Sequence, residues 1–287
     1  MQCSRRTLLI TALSLPSLAC AASPLHVVAA ENMYGDIATQ LGGPLVCVSS
    51  ILNNPNQDPH LFSATPSVAR GLAVADIVIV NGADYDPWMA GLLAAQPTPN
   101  RVVITVSDLL GRKPGDNPHL WYDPAAIPAL TQALTPVLTA KDPANTSLYQ
   151  HNAARLLTSL APIHARISAM RAKYIGTKVT ATEPVFGLMA AALGFEMRNQ
   201  NFQRAVMNGT EPAPSEVAAF ESDLRRNAVK IMFYNAQVTD DLTTTMLGLA
   251  HHAGVAVVGV TETEPAGISY QNWLNNGLDA VDKALTP

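Results

Sequence analysis

Residues 145–174, NTSLYQHNAARLLTSLAPIHARISAMRAKY, decide how this chain is organised. The stretch contains no glycine, and its apolar side chains recur at helical spacing, at Leu148, Leu156, Leu160, Ile163, Ile167 and Met170. A helix of this length spans roughly 45 Å. Pro162 lies inside it and predicts a kink that does not end the helix. The sequence therefore predicts one long, stiff linking helix, residues 144–175.

Short apolar runs alternate with helical segments on both sides of this stretch. Strands are predicted at 25–29, 46–51, 77–80 and 102–106, and again at 178–182, 195–197, 229–234 and 255–260. Predicted helices separate or follow them, at 33–41, 67–74, 88–95, 125–138, 185–193, 215–224, 240–252 and 270–285. Most of the strand runs are apolar at successive positions, which is typical of parallel strands covered on both faces. We expect an α/β fold: two βα lobes with mainly parallel sheets, residues 23–143 and 176–287, joined by one long rigid α-helix.

Composition and charge narrow the class of protein. The chain has 287 residues, of which 48% are hydrophobic and 14% charged, so it can bury the core of one large or two ordinary domains. Its formal net charge of -4 is scattered and forms no basic stripe. Nucleic acid is therefore not an expected partner, and we expect a monomer.

The first 22 residues resemble a secretory signal. Arg5 and Arg6 precede an uncharged run over residues 7–19, and small residues follow it. The run is too short to cross a membrane, so the mature chain is predicted to be exported and to begin near Ala22, without stable membrane insertion. The paired arginines fit either a twin-arginine signal or ordinary basic charge at the start of a signal.

The three cysteines have different expected fates. Cys3 and Cys20 leave with the signal if cleavage simply follows small residues. Cys20 could instead carry a lipid, but the residues before it lack the leucine usual in lipoprotein signals, which favours simple cleavage. Cys47 then remains alone in an apolar run, where a buried small hydrophobic residue is expected and no disulfide is available.

Four possible metal donors follow four of the predicted strands. His60 lies in the proline-rich loop after the second strand, and His119 lies after the fourth. Glu183 directly follows the strand at 178–182, and Glu262 follows the strand at 255–260. Ligands of open parallel sheets bind beyond the carboxyl ends of the strands. A common cleft would thus receive two imidazoles from the first lobe and two carboxylates from the second.

Each donor also has an ordinary structural interpretation. His60 and His119 could be incidental residues of turns, because prolines and asparagines surround them. Glu183 could be an acid at a helix N-terminus, and Glu262 could be plain surface charge. The recurrence of a donor at the same topological position in four connections favours a shared site.

The motifs around these donors resemble a known family. NPNQDPH ending at His60, NPHLWYDP around His119, TEPVFG around Glu183 and VTET around Glu262 are similar to motifs of the cluster 9 metal-binding solute proteins of zinc, manganese and iron ABC importers. The resemblance covers essentially the whole mature chain. It implies a bacterial periplasmic receptor that holds one divalent metal ion between its lobes and delivers it to an ABC permease driven by a separate ATPase.

The same resemblance implies a ligand set. His60 and His119 match the two histidine ligands of the first lobe. Glu183 matches a position that is histidine in many zinc members and glutamate in manganese members. Glu262 matches the family's C-terminal acidic ligand, more often aspartate, and Glu264 is a rival for that role.

The donor types bear on the identity of the ion. Two imidazole nitrogens with carboxylate oxygens form a harder site than three imidazoles, which suits Mn²⁺ or Fe²⁺ and still allows Zn²⁺. The histidine-rich loop of many zinc members is absent, since residues 111–116 form a short polar turn. The sequence favours manganese over zinc, against an affinity order in which zinc binds more tightly at almost any site.

Two further expectations concern the surroundings of the site. A ligating imidazole usually donates its second N–H to a carboxylate or carbonyl, and Asp58 and Asp123 are the nearby candidates for His60 and His119. Because Asp-Pro pairs also form turns, turn formation is an equal alternative for both aspartates. The alternative function is a mononuclear metallohydrolase in the same cleft, with three ligands, an open water position and Glu262 as general base.

Overall fold

A computed structural model describes residues 23–55, 59, 62–238 and 240–286. The predicted signal, residues 1–22, lies outside the described residues, as do Asp58 and His60. Within the described part of the chain, no helix is long and apolar enough to cross a membrane.

The first lobe is a parallel sheet covered by helices. Its four strands are β1 (Leu25–Glu31), β2 (Val46–Leu52), β3 (Ile77–Val80) and β4 (Val102–Thr105), in the spatial order β2-β1-β3-β4. Its helices are α1 (Asn32–Gly42), α2 (Pro66–Ala73), α3 (Trp88–Ala95), α4 (Val106–Leu109) and α5 (Ala126–Lys141). The strand order reverses between β1 and β3, which is where open parallel sheets bind ligands.

The second lobe repeats this arrangement. Its strands are β5 (Lys178–Ala181), β6 (Glu196–Met197), β7 (Ile231–Asn235) and β8 (Ala256–Val260), in the order β6-β5-β7-β8. Its helices are α7 (Gly187–Ala192), α8 (Gln200–Met207), α9 (Pro214–Arg225), α10 (Asp241–Ala253) and α11 (Tyr270–Leu285). All described strand pairs of both sheets are parallel. The order reverses between β5 and β7, so each lobe has one reversal point.

The long helix α6 (Thr146–Tyr174) joins the lobes. It runs for 29 residues and continues through Pro162, as the sequence predicts. Its buried face includes Leu156, Leu160 and Ile163, which belong to one hydrophobic cluster extending from the first sheet to the second. Because the helix is packed along its length, it acts as a strut and not as a flexible tether.

Two sequence expectations about local structure are wrong. Cys47 is exposed and not buried, because β2 is an edge strand whose side chains alternate between the core and solvent. Helices α4 and α8 were not expected, since one is four residues long and the other is only eight residues long, with half of its residues polar.

Candidate metal centre

His119 is held by an asparagine two residues before it. Its side chain is fully buried at the start of a short 3₁₀ turn, Leu120–Tyr122. The Asn117 side-chain oxygen lies 2.8 Å from His119 Nδ1 and accepts the His119 backbone N–H at 3.0 Å. The amide nitrogen of Asn117 donates to the Pro184 carbonyl at 2.7 Å, which fixes the orientation of the amide. His119 Nδ1 therefore carries the proton, and Nε2 keeps the lone pair that a metal needs.

Glu262 is the residue of the second lobe that lies beside His119. Its side chain is fully buried after β8, and Oε2 lies 3.4 Å from His119 Nε2. Oε2 accepts a hydrogen bond from the Tyr85 hydroxyl at 2.9 Å, and Oε1 accepts one from Asn235 Nδ2 at 2.6 Å. Its backbone N–H donates to the side-chain oxygen of Gln237 at 2.5 Å. Each oxygen of the Glu262 carboxylate therefore accepts a hydrogen bond from a different side chain.

Glu183 joins the same network through Asn235. It lies just beyond β5 and is 3% exposed. Asn235, the last residue of β7, donates from Nδ2 to Glu183 Oε2 at 2.7 Å as well as to Glu262. The oxygen of that amide accepts the backbone N–H of Gln237 at 3.0 Å, so the NH₂ group faces the two carboxylates. Two buried carboxylates that share one donor repel each other, and a cation between the lobes would relieve this repulsion.

Tyr85 forms an aromatic wall of the site. It is buried in the first lobe, with its ring edge-on to His119 at 5.9 Å and to Trp121 at 4.9 Å between ring centroids. Burial, followed by the negative charge of Glu262, raises the pKa of the Tyr85 phenol well above its usual value. Its hydroxyl consequently stays protonated at neutral pH and acts as a donor.

The structure places three of the four predicted donors. His119 and Glu262 lie side by side, and Glu183 is connected to Glu262 through Asn235. His60 lies outside the described residues. Among the residues that are described, no three histidine, cysteine, aspartate or glutamate side chains form a group that could hold a metal ion.

Glu264 takes a different position from Glu262. Its backbone is paired with the Asn32 side chain, which accepts from the Glu264 N–H at 2.9 Å and donates to its carbonyl at 2.7 Å. Burial and then the nearby charge of Asp36, on α1, raise the pKa of Glu264 to about 8. The carboxylate found beside His119 is that of Glu262.

Of the two interpretations of Asp123, the turn is confirmed and the partner of His119 is not, because His119 Nδ1 contacts Asn117. Asp123 accepts hydrogen bonds from Arg112 Nη2 at 2.9 Å and from the backbone N–H of Ala125 at 3.0 Å, so it stabilises a turn. The expected partner of His60, Asp58, lies outside the described residues.

Sequence reasoning missed three side chains of the site: Asn117, Tyr85 and Asn235. Asn117 had a signal, because it begins the NPH segment, although an asparagine before a proline is also typical of a turn. Tyr85 and Asn235 had none beyond their positions after β3 and at the end of β7, the strands next to the two reversal points.

A wide cavity opens beside Glu183 on the second lobe. Its volume is about 1080 Å³, far more than a single ion requires, and the loop at 208–212 forms part of its wall. The described residues around it include no lysine or arginine and four carboxylates, Glu183, Glu211, Glu221 and Asp240. Carboxylates lining a cleft raise the local concentration of cations.

Sequence comparisons relate the chain to known proteins over most of its length. The model of the family described as "Zinc-uptake complex component A periplasmic" matches residues 27–284. The manganese ABC transporter substrate-binding lipoprotein PsaA of Streptococcus pneumoniae is 24% identical over 279 residues, covering 91% of this chain and 89% of that protein. The iron-binding protein YfeA of Yersinia pestis is 23% identical over 277 residues, covering 92% and 87%.

A solved structure shows the same fold. The periplasmic zinc-binding protein TroA of Treponema pallidum superposes with a TM-score of 0.76 at 18% sequence identity, covering 93% of this chain and all of that one.

Proposed function

Because the chain belongs to the family of periplasmic zinc-uptake component A proteins, we propose that it captures one divalent transition-metal ion between its lobes as the solute-binding component of an ABC importer. The observation that carries the proposal is the buried contact between His119 of the first lobe and Glu262 of the second. His119 comes after the last strand of the first sheet, and Glu262 lies two residues beyond β8. An ion at this point would be held by both lobes at once.

The proposed ligands are His60, His119, Glu183 and Glu262. The lobes that supply them are residues 23–143 and 176–287, with 144–175 as the linking helix. Two imidazole nitrogens and two carboxylates suit Mn²⁺ or Zn²⁺, with Fe²⁺ as a further candidate. Relatives whose names specify manganese, iron and zinc support this range of ions.

Delivery requires partners. PsaA is named as a component of an ABC transporter, which supports an ABC permease and its ATPase as the partners of this chain. We place the mature protein in the periplasm as a monomer, after cleavage of the signal at residues 1–22 and without a lipid on Cys20.

Isothermal titration with Mn²⁺ and Zn²⁺ tests the proposed site. Wild type should bind one ion. His60→Ala, His119→Ala, Glu183→Ala and Glu262→Ala should each lose more than the roughly 10- to 100-fold in affinity that follows loss of a residue supporting a ligand. Glu264→Gln and His252→Ala are matched controls, because His252 is exposed and its Nδ1 contacts a carbonyl of its own helix. Wild-type affinity in His119→Ala or Glu262→Ala would refute the site.

The alternative function, a mononuclear metallohydrolase, gains no support from the family match, which describes an uptake component. The same titration separates the two functions. If Glu262 were a general base, Glu262→Ala would keep its metal affinity and lose hydrolysis. We expect it to lose affinity.

A further inference from the structure

A strained turn follows β3 in the first lobe. Gly82, Ala83 and Asp84 all have positive φ angles, of 77°, 50° and 64°. Side chains disfavour this left-handed region at Ala83 and Asp84. Such conformations persist where the surroundings hold them in place, and they cluster at functional sites.

Several contacts hold the turn. The Asp86 carboxylate accepts the backbone N–H groups of Asn81 and Gly82, each at 2.8 Å. A side chain at Gly82 would collide with Ser107, because an added Cβ would lie 2.2 Å from the Ser107 hydroxyl oxygen. The Asn81 amide donates to the Pro118 carbonyl at 2.8 Å, which ties the turn to the segment that carries His119.

The residue after the turn, Tyr85, contacts the second lobe with its side chain. Tyr85 is 6% exposed and donates its hydroxyl hydrogen to Glu262 Oε2 at 2.9 Å. Its ring is fixed against His119 and Trp121. The donor therefore comes from a rigid part of the first lobe, whereas the acceptor belongs to the second.

Two donors together restrict the Glu262 carboxylate. Asn235 holds Oε1 at 2.6 Å and Tyr85 holds Oε2 at 2.9 Å, so rotation of the carboxylate breaks at least one hydrogen bond. The terminal torsion of a glutamate is otherwise broad. A ligand fixed before the ion arrives loses less conformational freedom on binding.

We propose that Tyr85 is a positioning residue for metal capture, whose hydroxyl fixes the Glu262 carboxylate in the orientation that meets the ion. The strained turn at 82–84 places Tyr85 so that its hydroxyl reaches Glu262 in the second lobe. This inference rests on the proposed function, since it takes Glu262 as a metal ligand.

Tyr85→Phe removes the hydroxyl and keeps the packed ring. Titration with Mn²⁺ and with Zn²⁺ should show a loss of affinity of about 10- to 100-fold. Tyr270→Phe is the matched control. Tyr270 is 2% exposed and also donates across the lobes, at 2.6 Å, but its acceptor is the Trp121 carbonyl and not a proposed ligand. The control should stay close to wild-type affinity.

A spectroscopic measurement separates positioning from general stability. With Co²⁺ in the site, the visible absorption bands report ligand geometry; they should change in Tyr85→Phe and not in Tyr270→Phe. Wild-type affinity and an unchanged Co²⁺ spectrum in Tyr85→Phe would overturn the inference and leave the proposed function intact. Equal losses in the two variants would also overturn it, because they would reflect contact between the lobes. A wild-type protein that binds neither ion would refute the proposed function and this inference with it.

Discussion

Asn117 contacts both lobes with a single side-chain amide. Its oxygen orients His119, and its nitrogen donates to the Pro184 carbonyl, the residue directly after Glu183. The Asn117 side chain thereby contacts one proposed ligand, His119, and the residue next to another, Glu183. A carboxylate at this position could accept from His119 but could not donate to the carbonyl.

Asn117→Asp and Asn117→Ala should therefore separate the two contacts. The aspartate keeps the imidazole oriented, so metal affinity measured by titration should stay within about tenfold of wild type, whereas the alanine should lose about 10- to 100-fold. Both should lower the free energy of unfolding by about 1–3 kcal/mol, because the Pro184 carbonyl loses its donor.

The control is Asn145→Ala, which removes an amide hydrogen bond to Asp142 beside the linking helix, at 2.7 Å. It should alter stability and leave affinity unchanged. Equal affinities for Asn117→Ala and wild type would contradict an orienting function for Asn117.

Glu31 is a buried acid whose carboxylate has no hydrogen-bond donor among the described residues. It ends β1, is 1% exposed, and neither of its carboxylate oxygens accepts a hydrogen bond from another described residue. Burial, and then the negative charge of Asp86, raise its pKa well above the usual value. Since the unfolded chain releases this proton more readily than the folded one, stability should fall as pH rises from about 4.3 towards the folded pKa.

Glu31→Gln should remove this pH-dependent loss. The variant cannot ionise, so its melting temperature relative to wild type should rise between pH 4.5 and pH 8. Each unit by which the folded pKa exceeds the unfolded one corresponds to about 1.4 kcal/mol. Glu211→Gln, which changes an exposed carboxylate, should show a flat difference over the same range. A flat difference for Glu31→Gln would show that the folded protein accommodates the charge.

The sequence predicted that His119, Glu183 and Glu262 lie near one another, but not which side chains hold them in place. His119, Glu183 and Glu262 could be found because they follow buried strands, and strand ends are readable from local pattern. The sequence favoured Glu262 but left Glu264 as a rival, since only Thr263 separates them and tertiary packing decides which carboxylate faces His119. Tyr85 and Asn235 contact residues far along the chain, at Glu262 and Glu183.

At the scale of elements, burial explains both the successes and the errors. All eight strands were predicted, because central strands such as β3, with the sequence IVIV, are buried at every position. Their ends differ by one or two residues. The edge strand β2 produced the error at Cys47, because an apolar run does not reveal that one of its faces is exposed.

Pro162 should cost the linking helix stability. Its side chain is exposed and it lacks the N–H that would bond to the carbonyl four residues earlier. Pro162→Ala should raise the free energy of unfolding by about 1–3 kcal/mol, measured by thermal denaturation, and leave metal affinity unchanged. Ala172→Gly, an exposed change on the same helix, should lower it by about 1 kcal/mol and confirm that the assay senses this helix. A destabilised Pro162→Ala would mean that the lobes are fitted to a helix bent at this proline.

At the scale of the whole molecule, the lobes are also joined by contacts that involve no proposed ligand side chain. The Tyr122 hydroxyl donates to the Thr261 carbonyl at 2.9 Å, and the Asp36 carboxylate accepts the Tyr270 N–H at 3.0 Å. The Asn32 side chain pairs with the backbone of Glu264 in both directions. Together with the linking helix, these bonds hold the lobes in one relative position.

Metal binding should therefore change the shape of the molecule little. The radius of gyration from small-angle X-ray scattering should agree within error between metal-free and metal-loaded protein, at about 18 Å for a compact chain of this size. Hydrogen exchange should slow only near the site, at residues 82–86, 117–122 and 261–264.

The doubly substituted protein Asn32→Ala, Tyr270→Phe provides the comparison, because it loses bonds between the lobes and keeps every proposed ligand. It should become more compact when the ion binds, since the ion then supplies the contact that the lobes have lost. A wild-type protein that itself contracts on metal binding would show that the bonds between the lobes are too weak to hold the cleft, and that capture proceeds by closure about the linking helix.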